Sequence, residues 1–414
     1  MSSPRHLASQ LNTALDILTD LEAHVAQGHP ADSRLSSRFR LEKKYGSRDR
    51  RFLSDLAFAW FRWRGWFHPP QLTPRNFALA YLLSAESSHP LIDHILHASL
   101  PPLGPLPLLE KAARLAALDS RSSPPDPPQL FPSWFPASLP SHIDPLSLYA
   151  SLQIRPPTWI RATRSDLLPR LQDLGIPATQ HPRLPFAYSL PPTQHLPTLQ
   201  KTLGTPLEPH DIASQAVAHI CHPQPGQRWW DACAGSGGKS LHLGHLMQGR
   251  GHIDATDLRP TALDQFRRRL NRPGLPTWTA TQADARSTPP PSPPYQGILI
   301  DAPCTGTGTW SRSPDARWRT TSRDLDQRVQ DQRLLLDHAV RHLAPGGVLV
   351  YAVCSVTEPE TFHQVHDISL RHPSMRLSPF PDPLTGASCP ATRLILPHEG
   401  PGDGMFIARW IHAP

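Results

Sequence analysis

The chain has 414 residues, 41 Lys and Arg against 34 Asp and Glu, and a formal net charge of +7. That length admits two or three domains, and the basic balance favours an anionic partner. No apolar run is long enough to span a bilayer, the opening Met1-Ser2-Ser3-Pro4-Arg5 has no signal-peptide core, and the five cysteines form no CxxC pair. The expectation is a protein of the reducing cytoplasm, without membrane, disulfide framework or bound metal.

Helical spacing comes first. Leu7, Leu11, Leu15, Leu18 and Val25 recur on one face. Phe52, Leu56, Phe58, Ala59 and Trp63 mark a second helix, with Trp60 and Trp63 read as core. Apolar groups over 77–83, 91–96 and 108–118 add more. An all-α domain over 1–121 is the reading. Arg34, Arg38, Arg40, Lys43, Lys44, Arg48, Arg50 and Arg51 crowd one stretch of it, a pattern suited to phosphates. Residues 122–140 are rich in proline and read as a linker. Strands around 159–163 and 186–190, with a helix after Ser165, suggest a small α+β module over 141–203.

From 204 to 414 the pattern alternates strand and helix. Arg228-Trp229-Trp230-Asp231-Ala232 reads as a buried strand that runs into Cys233-Ala234-Gly235-Ser236-Gly237-Gly238-Lys239 and then into a helix. Strand, glycine-rich turn and helix open a nucleotide-binding βαβ unit. A second strand ends at Asp257, a third at Asp284, and Gly297-Ile298-Leu299-Ile300 leads to a fourth end at Asp301. One such acid alone is more often a helix cap. Four polar strand ends in register argue for one shared ligand in a doubly wound α/β domain. Leu325 to Leu343 forms an amphipathic helix, with Gly346-Gly347 expected to close it before a strand that carries Cys354. Cys304 and Cys354 both follow apolar runs at strand ends, so both should face the ligand crevice beside Asp301. Two thiols and a carboxylate there suit covalent chemistry on an electrophilic ring. Cys221 and Cys389 lack that context, and the His242/His245 and His219/His222 pairs read as surface residues rather than metal ligands.

These residues carry a resemblance. Asp211-Ile212-Ala213-Ser214-Gln215, the turn from Asp231 to Lys239, Asp257, Asp284, Asp301-Ala302-Pro303-Cys304-Thr305-Gly306-Thr307-Gly308, Arg312-Ser313-Pro314-Asp315, Trp318, Cys354-Ser355 and Gly402-Asp403-Gly404-Met405-Phe406 follow one family's order. The chain resembles the Sun (Fmu) type RNA (cytosine-5)-methyltransferases, in particular the bacterial branch acting on small-subunit ribosomal RNA. Gly235 and Ser236 stand where that family usually has alanine and proline, Ser311 where arginine is common, Val353 where threonine is common and Thr361 where asparagine is common. The N-terminal segment with Arg62-Trp63-Arg64 is similar to the antitermination-factor-like helical domain that precedes some of these enzymes. The module over 141–203 would match the family's RNA-recognition-like subdomain.

The resemblance implies a Rossmann-like S-adenosylmethionine-dependent methyltransferase domain. It places the cofactor at Cys233, Ala234, Gly235, Ser236, Gly237, Gly238, Lys239, Asp257, Asp284 and Asp301. It implies methylation of carbon 5 of a cytosine in RNA, with Cys354 as nucleophile, Cys304 in release of the product and Asp301 hydrogen-bonded to the base. A cysteine needs an electropositive or helix-terminal setting to ionise near pH 7. Lys239 and the backbone after Cys354 are both candidates. Ribosomal RNA and a monomeric enzyme are expected. Transfer RNA as substrate, or a non-catalytic ribosome-assembly factor, are the competing readings.

Overall fold

The computed structural model describes residues 4–67 and 71–413, so Met1 to Ser3 of the leader reading lie outside the described residues. The chain divides into two compact units, one of residues 1–155 with 309–322, the other of 156–308 with 323–414.

The first unit is helical: α1 (Pro4–Ala26), α2 (Ala31–Leu41), α3 (Ser47–Trp63), α4 (Pro74–Ser84), α5 (Pro90–Leu96), α6 (Leu108–Leu118), α7 (Trp134–Ala137) and α8 (Pro145–Ser151). Ala14, Ile17, Leu18, Leu21 and Val25 bury one face of α1, and Trp60, Phe61 and Trp63 are wholly buried on α3. Helical structure does not stop at 121. The proline-rich stretch over 122–140 is no linker: Leu130 and Phe135 are fully buried in it. Its prolines start short helical turns, where a missing N–H costs nothing.

The basic stretch is largely engaged within this unit. Arg34 pairs with Asp20, and Arg38 with Asp16 and Glu42. Lys44 also meets Glu42. Segment 309–322, which the sequence places inside the α/β half, is part of this helical unit. Arg317 on it is fully buried and donates to the backbone carbonyls of Arg62, Leu130, Leu152 and Trp310 and to Gln153 Oε1. Arg62 donates to the carbonyl of Ser311 at 2.7 Å, and Trp310 packs against Phe135 with ring centroids 4.7 Å apart.

The second unit opens with β1 (Thr158–Arg161), α9 (Leu167–Asp173), β2 (Thr179–Gln180), β3 (Ala187–Leu190), α10 (Leu196–Leu203) and β4 (Glu208–Pro209). The four strands form an antiparallel sheet in the order β2-β3-β1-β4. Its helix is capped at Asp166 rather than Ser165. There follow α11 (Ile212–Cys221), β5 (Arg228–Asp231), α12 (Gly238–Leu246), β6 (His252–Asp257), α13 (Pro260–Leu270), β7 (Thr277–Gln282), β8 (Tyr295–Asp301), α14 (Ser322–Val340), β9 (Leu343–Val353), α15 (Phe362–Arg371), β10 (Met375–Leu377), β11 (Phe380–Pro381), β12 (Ser388–Cys389), β13 (Thr392–Ile395) and β14 (Met405–His412).

The main sheet runs β10-β14-β9-β8-β5-β6-β7, with β13 on β14. β5 to β9 are parallel neighbours, and β14 returns antiparallel beside β9. The order reverses at β5, which lies between β6 and β8. That is the switch point where such sheets bind ligands at their carboxyl edge. Gly346-Gly347 does not terminate a helix. It falls inside β9, where Gly346 takes φ +72°, because Leu343 already pairs with Tyr295 before the strand realigns on Gly297.

Candidate active site

A cavity of about 860 Å³ opens at the switch point. Cys233, Ala234, Gly235, Ser236, Gly238, Lys239, Asp257, Asp284 and Asp301 all line it. Gly237 is the exception among the expected cofactor residues. Its φ is +83° and a Cβ would stand 2.7 Å from Phe266 and 2.9 Å from Leu270. It is glycine so that the turn can pack on α13, not to meet a ligand.

Each acid is held by a local partner. Asp257 accepts from the Gly235 N–H at 2.8 Å and pairs with Arg259 at 3.0 Å. Burial opposes its ionisation, but Arg259 and the backbone donors win and keep its pKa low. Asp284 is bonded by Arg286, which keeps its carboxyl low against a smaller cost of burial. Asp231, which closes β5, is almost fully buried. Burial pushes it up to about 7, Ser240 pulling down and Asp301 adding to the rise. Its Oδ1 has no hydrogen-bond partner among the described residues.

Lys239, on the first turn of α12, donates to Asp301 at 2.7 Å. Burial works against its ammonium, yet Asp301, and beyond it Cys354, hold its pKa above the ordinary value. Cys304 and Cys354 meet with their sulfurs 3.3 Å apart. Neither lines the cavity itself, but Pro303, next to Cys304, does. Both residues are partly exposed. Cys304 is raised well above an ordinary thiol by its hydrogen bond to Cys354, by burial, and by the negative charge of Cys354 and Glu360. Cys221 is buried and inert, as burial drives its thiol upward. Cys389 is buried as well.

One residue of this centre escaped the sequence. Glu360 is fully buried. Its Oε1 accepts from the Thr305 N–H at 2.8 Å and from Gln332 at 3.0 Å. Its Oε2 accepts from the hydroxyls of Thr305, Ser355 and Thr357. A buried carboxylate costs several kcal/mol to desolvate. Hydrogen bonds to charged groups return about 1.5–3 kcal/mol each, so five of them offset that cost. The only advance signal was an acid close behind Cys354-Ser355.

Of the four histidines read as surface residues, His222 is exposed and His242 is not. His242 is buried, its ring 5.0 Å from that of His219 and 5.6 Å from that of His210. Arg161 bonds His245 at 2.7 Å. Among the described residues no group of three or more His, Cys, Asp or Glu side chains is placed to hold a metal.

The parallel sheet, the glycine turn at its switch point and the acidic strand ends define a Rossmann-like methyltransferase fold. Residues 218–411 match the family described as 16S rRNA methyltransferase RsmB/F. The chain is similar to the ribosomal RNA small subunit methyltransferases B of Yersinia pseudotuberculosis and Yersinia pestis, at 32% identity over 277 residues, or 62% of this chain and 60% of each of theirs. The match therefore spans less than two thirds of those relatives.

Among solved structures, that of PH0851 has a TM-score of 0.72 at 22% identity and covers 99% of both chains. NSun6 from Pyrococcus horikoshii, solved with SFG, has a TM-score of 0.55 at 18% identity, covering 65% of this chain and 94% of that one. A methyltransferase homologue from the same organism has a TM-score of 0.56 at 22% identity, covering 68% of this chain and 95% of that one. These likenesses establish the fold. No described helix is long and apolar enough to cross a membrane.

Proposed function

We propose that this protein transfers a methyl group from S-adenosylmethionine to carbon 5 of a cytosine in RNA, small-subunit ribosomal RNA being the substrate. The observation that carries this reading is the contact between Cys304 and Cys354 beside the glycine-turn cavity. The cavity suits the cofactor. It offers the unpartnered Oδ1 of Asp231 to a cationic group, and a turn at Gly235 with room for close approach. Asp257 would take the ribose hydroxyls, and Asp284 the adenine side. When bound, the cofactor supplies an electrophilic methyl on a sulfonium.

The chain supplies the rest. The Cys354 thiolate adds to carbon 6 of cytosine, and the electrons of the 5,6 double bond move onto carbon 5, which takes the methyl and leaves S-adenosylhomocysteine. Asp301 hydrogen-bonds the ring as charge develops. Once Cys354 is a neutral thioether, two of the influences that hold up Cys304 disappear. Cys304 can then release its proton to solvent, and the thiolate takes the proton from carbon 5. The electron pair restores the double bond and expels the Cys354 thiolate.

The 2′-hydroxylated A-form helix hides carbon 5 in a narrow groove, so the target base must be unstacked or extruded. RNA contacts are drawn from the exposed basic side chains Arg40, Lys43 and Arg48 of the helical unit.

Labelled cofactor with small-subunit ribosomal RNA, followed by bisulfite sequencing, tests the reading. A new methylcytosine supports it. RNA binding without methylation would favour an assembly factor, and label in transfer RNA alone would move the substrate.

A further inference from the structure

We propose that Glu360 is a positioning residue of the two-thiol centre, holding the Cys304 loop and the Cys354 loop in one fixed register. This deepens the covalent reading above and rests on it. The carboxylate reaches the residue after each cysteine: it accepts from both the N–H and the hydroxyl of Thr305 and from the hydroxyl of Ser355, and those two hydroxyls also lie 3.4 Å apart. Gln332 on α14 extends the clamp backwards, since its amide donates to Glu360 and also to the carbonyl of Pro303, the residue before Cys304. The chain therefore meets the clamp on both sides of Cys304. The Cys354 carbonyl in turn accepts from the Gly308 N–H at 3.0 Å, closing the ring of contacts.

The arrangement has a second effect. Glu360 is fully buried, so its negative charge is poorly screened. Cys354 and Glu360 bear electrostatically on Cys304, and the buried phenol of Tyr351, which donates to the Glu360 carbonyl, faces it as well. Cys354 becomes a neutral thioether on joining the substrate, while Glu360 stays beside Cys304. Through both stages Glu360 biases Cys304 toward the thiol, and so makes it the stronger base when it does ionise. One buried carboxylate would thus set both the spacing of the sulfurs and the order in which they act.

The test compares wild type with Glu360→Gln, which keeps the shape and removes the charge. Alkylation of each cysteine by iodoacetamide is followed by mass spectrometry from pH 6 to 10 on the free protein, without RNA. The expected result is a Cys304 profile moved to lower pH, with several-fold faster labelling at neutral pH. With ribosomal RNA and cofactor, the variant should show a higher ratio of denaturation-resistant adduct to released product. An unmoved Cys304 profile together with an unchanged ratio overturns the proposal. Should Glu360→Gln fail to fold, Thr305→Val removes one hydroxyl of the clamp at constant size. A raised adduct ratio in that variant supports the role, and a wild-type ratio sinks it. If wild type itself methylates no RNA, the covalent reading fails, while the alkylation profiles still decide whether Glu360 governs Cys304.

Discussion

The sulfur of Cys304 lies 3.3 Å from that of Cys354, each at the end of a neighbouring parallel strand. At that separation one thiol can donate to the other. Their division of labour gives the first prediction. Cys354→Ala should abolish methyl transfer and leave cofactor affinity within about twofold, since the side chain does not line the cavity. Cys304→Ala should trap protein on RNA as a band resistant to denaturation. Turnover by the first variant, or free product from the second, would reassign the roles. Isothermal titration and denaturing gels read the two outcomes.

Asp231 gives a pH prediction. Its pKa is raised from 3.8 to about 7 in the folded chain. The folded state therefore binds the extra proton between those values, and stability falls as pH rises through the window. Asp231→Asn removes the titration. Its stability relative to wild type should be level near pH 4 and grow toward pH 7.5, by up to about 4 kcal/mol. Urea denaturation at several pH values measures this, and a pH-independent difference would rule it out.

The buried histidines act in the opposite direction. His242 and His210 are held far below the usual imidazole range, first by burial and then by nearby cations, with Arg161 bearing on both. Arg161, His210, His219 and His245 all face His242. The unfolded chain takes up protons that the folded chain refuses, so stability should drop as pH falls below about 6.5. His242→Phe should flatten that acid limb in thermal melts between pH 7.5 and 5. An unchanged limb would place the effect elsewhere.

Arg317 tests the helical unit. Its guanidinium satisfies four backbone carbonyls, with no acidic side chain among its hydrogen-bond partners in the described residues. Arg317→Lys keeps the charge but loses the fork, and each carbonyl left without a donor costs about 1–3 kcal/mol. The variant should unfold at lower denaturant and be cut faster by protease within 309–322. Wild-type resistance in that segment would contradict the role.

Much of the α/β half was legible. Strand ends at Asp257, Asp301 and Cys354 could be read because each follows a short apolar run, and a parallel sheet gathers such ends on one edge. Glu360 was not legible, because its partners Gln332 and Thr305 stand 28 and 55 residues away. Gly346-Gly347 misled because a glycine pair after an amphipathic helix has the signature of a cap, while β9 absorbs the positive φ within a strand. The prolines of 122–140 hid a buried segment whose real signal was Leu130, Phe131 and Phe135. His242 looked solvent-facing because a polar residue on a helix is exposed by default, and only tertiary packing placed the rings of His210 and His219 against it.

The membership of 309–322 in the helical unit has a practical outcome. Cutting the gene after residue 155 would not yield an autonomous catalytic fragment. It would strand Trp310 and Arg317 in water and leave the helices with a vacancy where they had been. The two units alternate along the chain, so a cut after residue 155 divides the helical unit itself.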